Sequence, residues 1–218
     1  MMKRFIFSIF LLPLLLASPQ TKAQGIMLTP KWTAQAQFTG YYVADKLGFY
    51  KEEGIDVCVQ HPAISESSFS FMEKGRAPVV IMNLSYAFME RLAGARVVNV
   101  MQTSQENSLM LISHSPLKGE ESLRNQKIAV WNHLSQKLLD RLAEHYALKQ
   151  VEWIRFNSGV NVFLSGAADP CLVGSYNEYL QLSEYGMNVD SIYSIRLADY
   201  GYNLPEDGLY VTEEFYNQ

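Results

Sequence analysis

The chain has 218 residues, 48% hydrophobic and 12% aromatic, enough for one ordinary domain or two small lobes with separate cores. A net charge of −4 with no basic run excludes nucleic acid and an anionic membrane surface as partners, because both need clustered Lys and Arg. Charged residues make up only 18%, while 13 Tyr and 11 Phe are present, so the surfaces suit a flat, largely uncharged ligand.

Residues 1–23 carry a basic start (Lys3, Arg4), an apolar run from Phe5 to Ala17 and a polar tail ending in Ala23, which reads as a cleaved signal peptide. The expected location is periplasmic, with no membrane insertion after cleavage. Export permits disulfides, yet Cys58 and Cys171 each sit in a short apolar run and read as buried free thiols. His61, His114, His133 and His145 are scattered, so no metal site is expected.

The mature chain opens with a strand over 26–29, closed by Pro30. Trp32, Gln35, Gln37, Phe38, Tyr41 and Tyr42 then gather around Gly40, and a helix over 40–47 buries Tyr41, Ala44 and Leu47 before Gly48 stops it. A turn over 49–54 leads to a strand over 55–59, giving the strand, helix, strand unit of a parallel sheet. Ser65 caps a helix running to Lys74, with Gly75 as its stop. The apolar run 79–82 reads as a central strand covered on both faces, with Asn83 at its carboxyl end. A helix over 86–93 and a strand over 97–101 follow. Ligands of open α/β sheets gather at such carboxyl ends, so Trp32 and Asn83 are expected to face one crevice.

A strand over 109–113 is broken off by Ser115-Pro116, and the pattern restarts. A helix-compatible connector over 117–125 leads to a strand over 127–131, with Asn132 at its end. The helix expected over 135–146 places Leu138, Leu139, Leu142 and Tyr146 on one face. Strands are expected over 151–156 and 168–173, followed by Tyr176-Asn177-Glu178-Tyr179 at the start of a helix ending near Gly186. A strand over 192–197, a turn-rich stretch over 199–208 and a strand over 209–212 complete the reading. The outward crossing between the halves is expected at 113–116 and the return at 199–208. Residues 213–218 look like the first turn of a helix.

The run Trp32-x-x-Gln35-x-Gln37-Phe38-x-Gly40-Tyr41-Tyr42-x-Ala44, with Gly48-Phe49-Tyr50-x-x-Glu53-Gly54, resembles the NMT1/THI5-like periplasmic binding proteins. Lys127-Ile128-x-Val130-Trp131, Tyr176-Asn177-Glu178-Tyr179 and the run from Glu206 to Glu214 extend the resemblance to the end of the chain. It implies an α/β fold of the two-lobed periplasmic binding protein type (type II), each lobe a mostly parallel sheet flanked by helices, with the C-terminal helices of relatives missing. Lobe 1 is expected over 24–114 plus 205–218 and lobe 2 over 115–204.

By the same resemblance Trp32, Gln37 and Tyr41 line the wall of lobe 1, and Glu178 faces them from lobe 2. Asn83, Asn132 and Asp207 are further candidates, each also explicable as a strand-end or turn residue. Trp32 could instead cover the sheet edge, Tyr41 could be core packing, and Glu178 could simply serve the helix dipole. A carboxylate and an amide suit an aminopyrimidine, whose amino group and ring nitrogen they meet by directional hydrogen bonds while aromatic rings stack on its faces.

Two departures from the family's pattern stand out: Pro78-Val79 replaces an acidic residue, and Asn132-His133-Leu134 replaces a Gly-rich turn, which disfavours close approach to a phosphate.

The expected function is capture of a thiamine pyrimidine precursor for an ABC transporter permease, without catalysis or cofactor. One alternative is an extracytoplasmic sensor domain of a longer receptor. The other is a pyridoxal phosphate-dependent pyrimidine synthase, disfavoured because Asn83 and Ala87 stand where those enzymes resemble this chain but carry a cofactor-binding Lys and a His.

Overall fold

In the computed structural model, residues 25–118, 120–124, 126–131, 143–144, 151–157 and 159–218 are described. The expected signal peptide, Asn132 and nearly all of the helix over 135–146 lie outside them. No helix among the described residues is long and apolar enough to cross a membrane.

The first half builds β1 (Ile26–Thr29), α1 (Thr39–Leu47), α2 (Phe49–Glu52), β2 (Val57–Val59), α3 (Ser68–Glu73), β3 (Val79–Asn83), α4 (Leu84–Leu92) and β4 (Val97–Gln102). The second builds β5 (Leu109–Ser113), β6 (Lys127–Trp131), β7 (Glu152–Phe156), α5 (Asn161–Leu164), β8 (Cys171–Gly174), α6 (Glu178–Glu184) and β9 (Tyr193–Arg196). β10 (Asp207–Thr212) and α7 (Glu213–Tyr216) end the chain.

Two five-stranded sheets result, ordered β2-β1-β3-β10-β4 and β7-β6-β8-β5-β9. In the first, β10 runs antiparallel to both β3 and β4, while β1 pairs in parallel with β2 and β3. In the second, β5 runs antiparallel to β8 and β9, while β6 pairs in parallel with β7 and β8. The sheets share one plan: four strands in one direction and one reversed strand in fourth place. Two mixed sheets flanked by helices make the fold α/β, with one lobe around each sheet.

One expected boundary moves. β5 already belongs to the second sheet, so the chain leaves the first sheet before Leu109 and not at 113–116. The signal at Ser115-Pro116 is a strand end; the crossing is the polar stretch 103–108, which lacks any Pro or Gly to mark it.

Local chemistry explains most elements. Gly48 takes φ 83°, a left-handed value that a Cβ disfavours, and its N–H closes α1 onto Ala44 and Asp45 carbonyls. The cap of α3 is Ser67, whose Oγ accepts from the Ser70 N–H at 3.1 Å, and not Ser65 as expected. Residues 49–52, expected as a turn, are helical, and Leu47 is exposed; the buried residue that anchors this segment is Phe38, ahead of the helix.

β3 is buried on both faces as its apolar run requires, with Val80 and Met82 under α3 and Val79 and Ile81 on the Phe38 side. A third core fills the second lobe around Ile112, Val130, Phe163 and Leu182. At ~1.5–3 kcal/mol per buried apolar side chain, these cores carry the fold.

The thiols divide. Both cysteines are free, but Cys58 is exposed, because β2 is an edge strand whose middle residue faces outward; the expectation that both are buried is corrected for Cys58. Cys171 is buried, and desolvation, then Glu178 and Asp169, push its thiol up to about 12. A thiol-disulfide colorimetric reagent at pH 8 is therefore expected to modify Cys58 alone in the native protein and both thiols in urea. Two fast native modifications would refute the burial of Cys171.

Candidate functional site

The carboxyl ends of β1 and β3 and the start of β10 converge, because Asp207 pairs in register with Asn83. Lys31, two residues past β1, places its ammonium on the Asp207 carboxylate and donates to Asn83 Oδ1 at 2.6 Å. Both side chains of this ion pair are largely buried, 17% and 8% exposed, so its charges are shielded from water. The Tyr41 hydroxyl is buried and feels both Asp207 and the Thr103 hydroxyl. Desolvation, with Asp207 and Tyr50, raises its pKa, while the nearby Thr103 hydroxyl opposes the rise.

The segment carrying Trp32 is braced from an unexpected side. His61 Nδ1 meets the Trp32 carbonyl, which can only accept, so Nδ1 carries the proton and Nε2 accepts from the Tyr42 hydroxyl at 2.7 Å. The His61 ring also lies 5.5 Å from that of Phe38. Trp32, Tyr41 and Tyr42 pack partly buried against the Phe38 cluster. Gln37 donates to Gln35 Oε1 at 3.4 Å, and its own Oε1 is buried without a donor. Nothing around His61 in the sequence marks this role, which depends on a fold contact across 29 residues.

The second lobe answers across the hinge. Beyond β8, the Ser175 N–H donates to the Ser108 carbonyl at 2.9 Å, placing Tyr176 over the crossing. Burial, then Glu206, Asp207 and Glu178, push the Tyr176 phenol upward, with a Ser108 hydrogen bond opposing. One hydroxyl from lobe 2 thus feels the charge of Asp207, at the start of β10 in lobe 1. Glu178 is buried, its Oε2 accepting from the Gly174 N–H and its Oε1 from Asn177 Nδ2, each at 3.0 Å. A Cβ at Gly174 would approach Glu178 Oε2 to 3.2 Å, so a larger residue here would push the carboxylate by a few tenths of an ångström.

The two crossings are stitched together. Asp207's carbonyl accepts from the Thr103 and Ser104 N–H groups, from Thr103 Oγ1 at 2.7 Å and from Gln102 Nε2 at 2.9 Å. Ser108 Oγ donates to Glu206 Oε2 at 2.9 Å, the Asn107 N–H donates to Asn203 Oδ1 at 3.0 Å, and the Asn107 side chain donates to the Tyr202 carbonyl.

Of the sequence candidates, Asn83 and Asp207 meet through Lys31 and Tyr41 feels Asp207, whereas Trp32 packs on the Phe38 cluster, Gln37 lies on the same segment as Trp32, and Glu178 stands in the other lobe. Asn132 is outside the described residues. Lys31, Thr103, Ser108, Tyr176 and Glu206 were missed. A Lys beside the Trp32 motif and a Ser facing an acidic turn are common surface pairings, and only the strand register reveals them. No group of three or more metal-ligating side chains occurs among the described residues.

Comparison with known proteins agrees with this architecture. The periplasmic aliphatic sulphonate binding protein SsuA of Escherichia coli superposes with a TM-score of 0.64 at 14% identity, over 88% of this chain and 66% of that one. The putative binding protein YtlA of Bacillus subtilis is 24% identical over 189 residues, 81% of this chain and 54% of its own length. The 4-amino-5-hydroxymethyl-2-methylpyrimidine phosphate synthase THI13 of Saccharomyces cerevisiae is 19% identical over 160 residues, 71% of this chain and 47% of its own. The chain spans about half the length of the curated relatives it matches. The family profile NMT1/THI5 like matches residues 35–218, and the chain belongs to that family.

Proposed function

We propose that the protein is the extracytoplasmic ligand-binding component of an ABC-type importer, holding a small heteroaromatic molecule of the aminopyrimidine kind between its lobes and handing it to a permease. The observation that carries this reading is the polar group at the strand ends of lobe 1: Lys31 bridges Asp207 and Asn83, and Tyr176 of the other lobe feels the charges of Glu206, Asp207 and Glu178. Ligand contacts to both lobes favour a closed state, and the stitched crossings supply the hinge.

Trp32 and Tyr41 offer aromatic faces, Gln37, Asn83 and Asn132 amides, and Asp207 a carboxylate. Glu178 accepts two hydrogen bonds from its own lobe, yet a carboxylate has about four acceptor positions and retains capacity toward a ligand.

The absence of catalysis belongs to the same proposal. A Schiff base needs an amine, and although position 83 is Asn, Lys31 Nζ lies 2.6 Å from its side chain. That ammonium is engaged by Asp207 and Asn83, which disfavours it as a nucleophile.

Titration with aminopyrimidines and thiamine, followed by thermal unfolding and calorimetry, is expected to show saturable stabilisation of about 2.7 kcal/mol at a hundredfold excess over Kd. No response to any of these bases would sink the ligand class, and a borohydride-fixed adduct with pyridoxal phosphate would overturn the non-catalytic reading.

A further inference from the structure

The hydrogen-bond inventory of the Lys31 group is unbalanced. An ammonium has three donors, and Asp207 and Asn83 Oδ1 take two of Lys31's. Because Asn83 Oδ1 is the acceptor in that bond, its amide nitrogen presents two more donors. Lys31 and Asn83 therefore keep donors that the ion pair does not use at the carboxyl ends of β1 and β3. A donor left unpaired on burial costs about 1–3 kcal/mol, so a ligand that covers this group is favoured when it brings acceptors.

The charge balance points the other way from a simple cationic pocket. Lys31's charge is compensated by Asp207 at direct contact, and Tyr176 feels Glu206, Asp207 and Glu178 together. Lys31 is the cation of this group, set against three carboxylates. An acid entering it meets donors but also their negative field, and two like charges at ~6 Å repel by roughly 3 kcal/mol at an effective dielectric of 20.

We propose that the Lys31–Asp207 pair is the specificity device of this crevice: it keeps Lys31 as a donor while cancelling its charge, so that the site takes a neutral acceptor group, a ring nitrogen or carbonyl oxygen, and rejects the carboxylate or sulfonate isostere. This rests on the heteroaromatic reading of the crevice given above. Specificity of this kind comes from a repulsive element as much as from an attractive one.

The test uses matched probes that differ only in charge: nicotinamide against nicotinate, and pyrimidine-carboxamide against pyrimidine-carboxylate, with taurine as an aliphatic sulfonate. Calorimetry on the full chain is expected to show each amide binding at least about tenfold tighter than its acid. Asp207→Asn, which uncovers the Lys31 charge, is expected to narrow that preference severalfold. The neutral pair Lys31→Gln/Asp207→Asn, which removes both charges, is expected to keep the amide preference while weakening it through loss of the ammonium donor.

Equal or tighter binding of the acids by the unaltered protein overturns the inference while leaving the heteroaromatic reading intact. Binding of taurine alone overturns both, and so does the absence of binding by every probe. Should Asp207→Asn fail to fold, the unaltered protein and the neutral pair still decide.

Discussion

Phe38→Ala is expected to cost about 3–5 kcal/mol of stability, the usual loss for truncating a fully buried aromatic. Phe38 has no exposed surface and holds together Leu28, Val79, Ile81 and Val211, with Trp32, Tyr41 and Tyr42 packed around them. α1 buries no residue of its own, so nothing within that helix can substitute for the anchor. Urea unfolding followed by tryptophan emission measures the loss. A change below about 1 kcal/mol would mean that the Trp32 segment is held by other contacts, His61 first among them.

The second large effect is electrostatic. Asp207→Asn leaves a mostly buried ammonium without its carboxylate, and breaking such a pair from one side destabilises by roughly 3 kcal/mol. Replacing both partners with apolar residues, Lys31→Met/Asp207→Leu, is expected to recover most of that loss, because neither desolvated charge remains to be compensated. Chemical denaturation of the three variants checks this. If the single substitution is harmless, water reaches the pair freely and its burial is only apparent. The recovered double variant would separate stability from binding, since it folds without the donors that face the crevice.

The strands were legible in the sequence because their apolar runs are short, bounded and rich in Val and Ile. β3, with Val79 to Met82 uninterrupted, could be read as covered on both faces, and so it is. Gly48 and Gly75 marked helix ends because both need left-handed backbone there. The crossing before β5 was misplaced since sheet membership is a long-range property: nothing local to Leu109 tells which sheet will accept it.

The site shows the same division. Trp32 and Asn83 come just past β1 and at the end of β3, positions that could be read by rule. Lys31's contact with Asp207, and the charges that Tyr176 feels from Glu206 and Asp207, depend on strands far apart in sequence. Cys58 was misjudged for a related reason: an alternating edge strand buries one face only, and the apolar character of Val57-Cys58-Val59 does not say which.

The reversed strand of the first sheet, β10, lies between β3 and β4, yet it is made from residues 207–212. All five strands of the second sheet are complete at Arg196. As the chain emerges from the ribosome, the lobe that begins first is thus the last to close: until Thr212 is made, β3 and β4 keep bare hydrogen-bonding edges toward the gap β10 will fill, while the later lobe already has its full sheet. The usual order of amino-terminal domain first is inverted by one strand, and the newborn first lobe needs shelter for as long as it takes to synthesise the whole of the second.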